Sequence, residues 1–263
     1  MRTGRTATWL ASALLLATSF AGAQTRRISL SAYRATEQRW HAPGATTAQI
    51  GPDGRMLFRL TSINGLGTAE VMPERQDGGF DDAACAQLSR VLGDRRSGTH
   101  APMDRRLLEV IYSIARHFEA GQVRVVSGYR PESHGSNHSL GRAADIVVPG
   151  VPDEEVAAYA RSLGFVGVGV YPRSGFVHVD VRTRSFFWVD RSAPGRTTRR
   201  RSRRRHGGLQ EVFGTQAQQA DARARAAGIS PLGGTANTAA PTSPTEDDES
   251  DDEAAEGSTP GGS

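Results

Sequence analysis

Hydrophobic residues recur along this chain at two spacings. In three stretches they fall three and four residues apart, the period of a helix with one buried side. The clearest holds Leu107, Leu108, Ile111, Ile114, Ala115 and Phe118. Asp104 stands ahead of it as a cap, Met103 is placed to staple onto Leu108, and Gly121 marks its end. A second stretch follows Asp81 as cap, with Leu88, Val91 and Leu92 on its apolar side and Gly93 beyond. A third starts at Pro152 and Asp153, carries acids in its first turn, buries Val156, Ala160 and Leu163, and stops at Gly164.

Elsewhere the spacing is two. Residues 55–60, 123–126, 143–148, 166–171, 176–181 and 186–189 read as short strands, with Pro172-Arg173-Ser174-Gly175 as a hairpin turn. Helices placed before and between antiparallel-looking strands predict an α+β fold, a small antiparallel sheet flanked by helices, rather than a βαβ repeat. In 176–181 the alternation puts Val177, Val179 and Val181 on one face and Phe176, His178 and Asp180 on the other. The valines are expected to face the core, which leaves His178 and Asp180 side by side toward a cleft.

The pattern stops at both ends. Arg2 and Arg5, an apolar run over residues 9–20 and then Ala21-Gly22-Ala23 predict a signal peptide over residues 1–23, with export to the periplasm or cell envelope. That run is short for a bilayer span, so no transmembrane segment is expected after cleavage. Residues 24–49 read as a lead-in, 50–190 as one compact domain and 191–263 as a charged tail. Within the tail, residues 209–227 allow a short helix bounded by Gly214 and Gly228. The remainder is too poor in apolar residues to offset chain entropy and reads as disordered.

Charge changes the picture only in that tail. The net charge of +4 conceals near-continuous arginine over 196–205 and mostly acidic residues over 246–256. There is no lysine, so every basic side chain is arginine. Such an arginine run binds polyanions. Export argues against nucleic acid and leaves anionic envelope components or a plain solvated linker. The single cysteine, Cys85, rules out an internal disulfide and a cysteine-rich zinc cluster, and reads as a small buried hydrophobe.

The candidate chemistry lies between residues 127 and 180. His138, Asp145 and His178 supply two imidazoles and a carboxylate, a set that suits zinc with one coordination position open. A histidine two residues from an aspartate is by itself better explained as an ordinary surface pair. The order of the motifs shifts the balance: a turn with Tyr129 and Arg130, then H-x6-D entering a strand, then H-x-D in another.

Those residues carry a resemblance. Ser136-Asn137-His138-Ser139-Leu140-Gly141-Arg142-Ala143-Ala144-Asp145 matches the S-x-H-x-x-G-x-A-x-D motif of the zinc D-Ala-D-Ala metallopeptidase superfamily, with its VanX/VanY-like and Hedgehog-like members. With G-G-F-D and M-D-R-R-L-L upstream and G-V-G-V-Y-P-R-S-G-F-V-H-V-D-V-R downstream, it is most similar to the MepK/YcbK-type murein endopeptidase branch over about 50–190. The resemblance implies a Hedgehog/DD-peptidase-like fold and a zinc peptidase of peptidoglycan stems or crosslinks. It implies His138, Asp145 and His178 as zinc ligands, Arg130 on a carboxylate or carbonyl of the peptide stem, and Ser136 on the substrate backbone. VanX-like members carry a glutamate base three residues before the last histidine, where this chain has Gly175. Asp180 and His134 are the replacement candidates for proton transfer, with Asp180 alternatively orienting a ligand. The same departure keeps open an inactive wall-binding module that retains its metal, and because the sequence does not name the bond cut, a D,D-carboxypeptidase is the other alternative.

Overall fold

The computed structural model describes residues 30–44, 46–191, 209–211 and 214–232. One eight-stranded sheet runs through it in the order β2-β1-β3-β4-β6-β5-β7-β8. Its strands are β1 (Phe58–Ser62), β2 (Thr68–Val71), β3 (Val123–Ser127), β4 (Ala143–Val147), β5 (Val166–Tyr171), β6 (Phe176–Val181), β7 (Phe186–Asp190) and β8 (Leu209–Glu211). The pairings are antiparallel except β1 with β3 and β5 with β7. The α+β class is the one expected. The first strand lies a little later than its pattern suggested, and it pairs with β2, whose four residues offer only Ala69 and Val71 to the core and so carry little signal.

One face of the sheet follows from the alternation. Val177, Val179 and Val181 from β6, Val166, Val168 and Val170 from β5, and Ile146 from β4 enter the main core. Helices α2 (Asp82–Val91), α3 (Arg105–His117) and α4 (Asp153–Ser162) cover it. The caps are those the sequence indicates: Asp81 accepts from the Ala84 amide and Asp104 from the Arg106 amide. Cys85 packs against this core partly buried, and burial pushes its thiol pKa up.

The other face is closed by a helix that no period announced. α1 (Leu30–His41) buries Tyr33 and Trp40 in a second apolar cluster with Val126, Val147, Tyr171, Phe176 and Trp188. Its other positions are mostly polar, so tertiary contacts hold it. One Arg124 nitrogen donates to the carbonyls of Arg39, Trp40 and Ala42 at 2.8, 2.5 and 3.1 Å, satisfying the end of the helix. Tyr33 donates its hydroxyl proton to the Ser174 carbonyl at 2.8 Å.

Within the stretch expected to allow a short helix, α5 (Gly214–Ala226) packs through Ala217, Ala220 and Ala224. Its Asp221 accepts from the Phe165 amide and from the amide and hydroxyl of Ser185. The expected leader, the arginine run and the acidic stretch lie outside the described residues. Among the described residues, no helix is long and apolar enough to cross a membrane.

Candidate metal centre

The site is set by the register of two strands and one tight loop. Asp145 on β4 stands directly opposite His178 on β6, on the face away from the main core. His138 comes from the loop before β4, folded by bonds from the Gly141 amide to the His138 carbonyl and from the Arg142 amide to the Asn137 carbonyl. Gly141 has φ +68°, and the Pro102 carbonyl oxygen lies 2.6 Å from where its Cβ would be, so the loop can close there only around glycine.

These elements bring the three side chains together with no exposure to solvent. His138 Nε2 is 3.2 Å from His178 Nδ1, which is 2.9 Å from Asp145 Oδ1, and Asp145 Oδ2 is 3.6 Å from His138 Nε2. A tetrahedral zinc with bonds of about 2.0 Å separates its ligand atoms by about 3.3 Å. Asp145 Oδ2 has no hydrogen-bond partner among the described residues, although it is buried. A cation at the centre would satisfy it.

Hydrogen bonds behind the rings orient them. His138 Nδ1 donates to the Gly128 carbonyl at 2.6 Å, which leaves Nε2 as the acceptor atom. His178 Nε2 donates to Asp180 Oδ2 at 3.0 Å, which turns Nδ1 toward Asp145 and His138. Burial foremost, with the charge of Arg130, lowers the His138 pKa to about 3, so its imidazole is neutral. Burial works to raise the Asp145 pKa, but His138, the hydrogen bond with His178 and the charge of Arg130 together bring it below the ordinary value. A neutral imidazole at His138 and an ionised carboxylate at Asp145 are protonation states that a metal requires.

The other sequence candidates are distributed around this cluster. The charge of Arg130 reaches both His138 and Asp145. Ser136 is fully buried, and its hydroxyl accepts from the Ser139 amide at 3.3 Å, holding the loop. His134 is exposed four residues before His138. His178 and Asp180 share a face as expected, but both are buried rather than facing an open cleft, because Trp188 and Arg182 pack over that face. Asp180 stands behind His178, at the ring nitrogen turned away from His138 and Asp145. Burial opposes its ionisation, but the charge of Arg182 and hydrogen bonds from His178 and Arg182 hold its pKa well below the ordinary range.

Sequence reasoning missed several neighbours. Arg182 follows Asp180 by two residues and grips it, and Trp188 lies with its ring centroid 5.1 Å from that of His178. Gly167 and Gly169 on β5 pair with Asp180 and His178 and make room for both. A glycine at every second position of a strand beside H-x-D was the available signal. Gly175, with φ +69°, closes the β5–β6 hairpin, and Glu37 of α1 fills the space beside it, with Oε1 2.6 Å from where a Cβ would stand.

Comparison with known proteins agrees with the motif order. A family model described as peptidoglycan L,D-endopeptidase MepK matches residues 53–185. The chain is 32% identical over 117 residues to the probable peptidoglycan L,D-endopeptidase MepK of Haemophilus influenzae, a match spanning 39% of this chain and 63% of that protein. It is 30% identical over 138 residues to the peptidoglycan L,D-endopeptidase MepK of Escherichia coli K12, spanning 46% of this chain and 76% of that protein. No solved structure matches the chain. The matched residues hold the whole candidate centre, while α1 and α5 lie outside them.

Proposed function

The chain belongs to the peptidoglycan L,D-endopeptidase MepK family, and on that premise we propose that it is an exported zinc endopeptidase that hydrolyses crosslinks between peptidoglycan stems during wall remodelling. The observation that carries this reading is the convergence of His138 Nε2, Asp145 and His178 Nδ1 on one buried point. The L,D-crosslink is the bond in the names of the relatives, and we assign the same bond here.

Zinc held by these three residues supplies Lewis acidity and lowers the pKa of water toward ~7. The chain supplies the rest. Asp180 keeps the His178 proton on Nε2, and the Gly128 carbonyl keeps the His138 proton on Nδ1. Arg130 offers a planar fork of donors to a stem carboxylate or to the oxyanion. Removing one such partner typically costs roughly 3 kcal/mol of transition-state stabilisation. Ser136 holds the loop that carries His138 and, through that loop, the path of the substrate backbone. His134, exposed on the same loop, takes the proton during attack. The leader over residues 1–23 delivers the chain to the envelope, and the arginine run gives loose attachment to anionic components there.

Mass spectrometry of muropeptide dimers incubated with the protein tests this reading, with zinc, with chelator and with zinc restored. Zinc-dependent conversion of L,D-crosslinked dimers to monomers is the expected result. Loss of a single alanine would mean a carboxypeptidase. Gly175, in the place of a glutamate base, favours one second reading, a wall-binding module. Intact dimers from a protein that binds zinc would support it.

A further inference from the structure

We infer that Arg182 is a positioning residue for metal binding: it grips Asp180 from behind and thereby fixes which nitrogen of His178 faces the metal. The inference rests on the reading of His178 as a ligand and adds a residue to which neither the motif nor the comparisons give a role.

Period-two alternation continues past the H-x-D motif, so residues 178, 180 and 182 line one edge of the same face. Arg182 Nε donates to Asp180 Oδ1 at 2.5 Å and a terminal nitrogen donates to Oδ2 at 2.6 Å, a two-point grip. Its side chain is only 5% exposed, and the guanidinium carbon lies 5.7 Å from the Phe186 ring centroid and 5.5 Å from that of Trp188. Burying an arginine among aromatic rings carries a desolvation cost that packing alone does not require. Space is cleared for it as well. A Cβ on Gly167 would overlap Asp180 Oδ2 and Arg182 Nε, and a Cβ on Gly169 would overlap the Trp188 ring.

The grip has a chemical consequence. A carboxylate held by two guanidinium N–H groups presents only lone pairs, so its contact with His178 must be an acceptance from Nε2–H. That turns Nδ1 toward His138 Nε2 and Asp145 Oδ1, 3.2 and 2.9 Å away. A ring flipped by half a turn would lose the bond to Asp180 and put carbon atoms where Nδ1 and Nε2 now stand. Arg182 thus acts on the metal through two intermediaries, Asp180 and the His178 ring.

Nitrogen-15 NMR of the histidine side chains in the zinc-loaded full chain reads which His178 nitrogen meets the metal. The expected result is Nδ1 in the wild type and a mixture of Nδ1 and Nε2 in Arg182→Met. Zinc affinity, measured by chelator competition, should fall about 10–100-fold in Arg182→Met, with Arg182→Lys between it and the wild type. The cobalt-substituted spectrum should shift in the same order, a change that loss of packing alone does not produce. Should Arg182→Met not fold, the wild-type ligating nitrogen and Arg182→Lys carry the test. A wild-type His178 bound through Nε2, or Arg182 variants with the wild-type ligating nitrogen and zinc affinity within about twofold, overturns the inference alone. A wild-type chain that binds no zinc overturns both it and the reading of the site.

Discussion

The two faces of the central sheet are built from alternate residues of the same strands, yet different physics organises them. Toward α2, α3 and α4 the sheet presents Val177, Val179, Val181 and Ile146, and close packing of apolar side chains is the whole requirement. Toward α1 the same strands present His178, Asp180 and Asp145, fully buried polar groups that are tolerable only because each is hydrogen-bonded or aimed at a common point. The first face is a stability device that many sequences satisfy. The second is a chemical device in which each polar group is either hydrogen-bonded or aimed at the common point.

Adjacent residues on β4 offer the sharpest way to separate the two. Asp145→Ala should abolish zinc binding and hydrolysis of muropeptide dimers while the chain still unfolds cooperatively. Ile146→Ala, one residue on and facing the main core, should do the reverse. It should cost about 2–5 kcal/mol of unfolding free energy and leave zinc affinity in the folded chain close to wild type. Denaturant titration and chelator competition on both variants decide the matter. Equal losses in both assays for both variants would mean that the faces are one cooperative unit and the division is false.

The two faces were also unequally legible. The core face follows from the valine alternation and the helical stripe of Leu107 to Phe118, because periodicity records burial directly. The candidate trio could be picked out because its motif spacing is distinctive. What surrounds the trio could not. Among the described side chains α1 offers Tyr33 and Trp40 to the second cluster, and its helix depends on contacts with residues over 80 positions away, such as Arg124. The direction in which Asp180 points depends on Arg182, Gly167 and Trp188, which meet only when β5, β6 and β7 are assembled. Periodicity assigns a residue to a face and does not say which nitrogen of its neighbour it bonds.

Acid separates the same two regions by sign. His138 has its folded pKa depressed from 6.5 to about 3, with burial the largest cause. The unfolded chain therefore takes this proton first, and stability is lost as pH falls from about 6.5 toward about 3. Asp153, at the start of α4 and facing Glu37 and His41 of α1 and its neighbour Glu154, has its folded pKa raised from 3.8 to about 6, again mainly by burial. Its contribution is fully present below 3.8 and is lost as pH rises through about 6. In the metal-free protein, Asp153→Asn should therefore gain melting temperature relative to wild type as pH goes from 4 to 7. An advantage that shrinks over that range would contradict the assignment.

The smallest effect tests whether α1 belongs to the site face or merely rests on it. Tyr33→Phe removes the bond to the Ser174 carbonyl and keeps the ring in the apolar cluster, where it meets Trp40 edge to face with centroids 6.0 Å apart. The expected loss is about 1 kcal/mol, the usual net worth of one such bond. Its distribution matters more than its size. The Ser174 carbonyl lies in the hairpin that ends at Gly175, three residues before His178, and His41 binds the Gly175 carbonyl at 2.9 Å from the other end of the helix. If α1 braces that hairpin, hydrogen exchange in Tyr33→Phe should quicken at the Ser174 and Gly175 amides, which bond the Tyr171 carbonyl, as well as within the helix. Faster exchange confined to α1 would make the helix a cover laid over a site that the sheet alone holds in place.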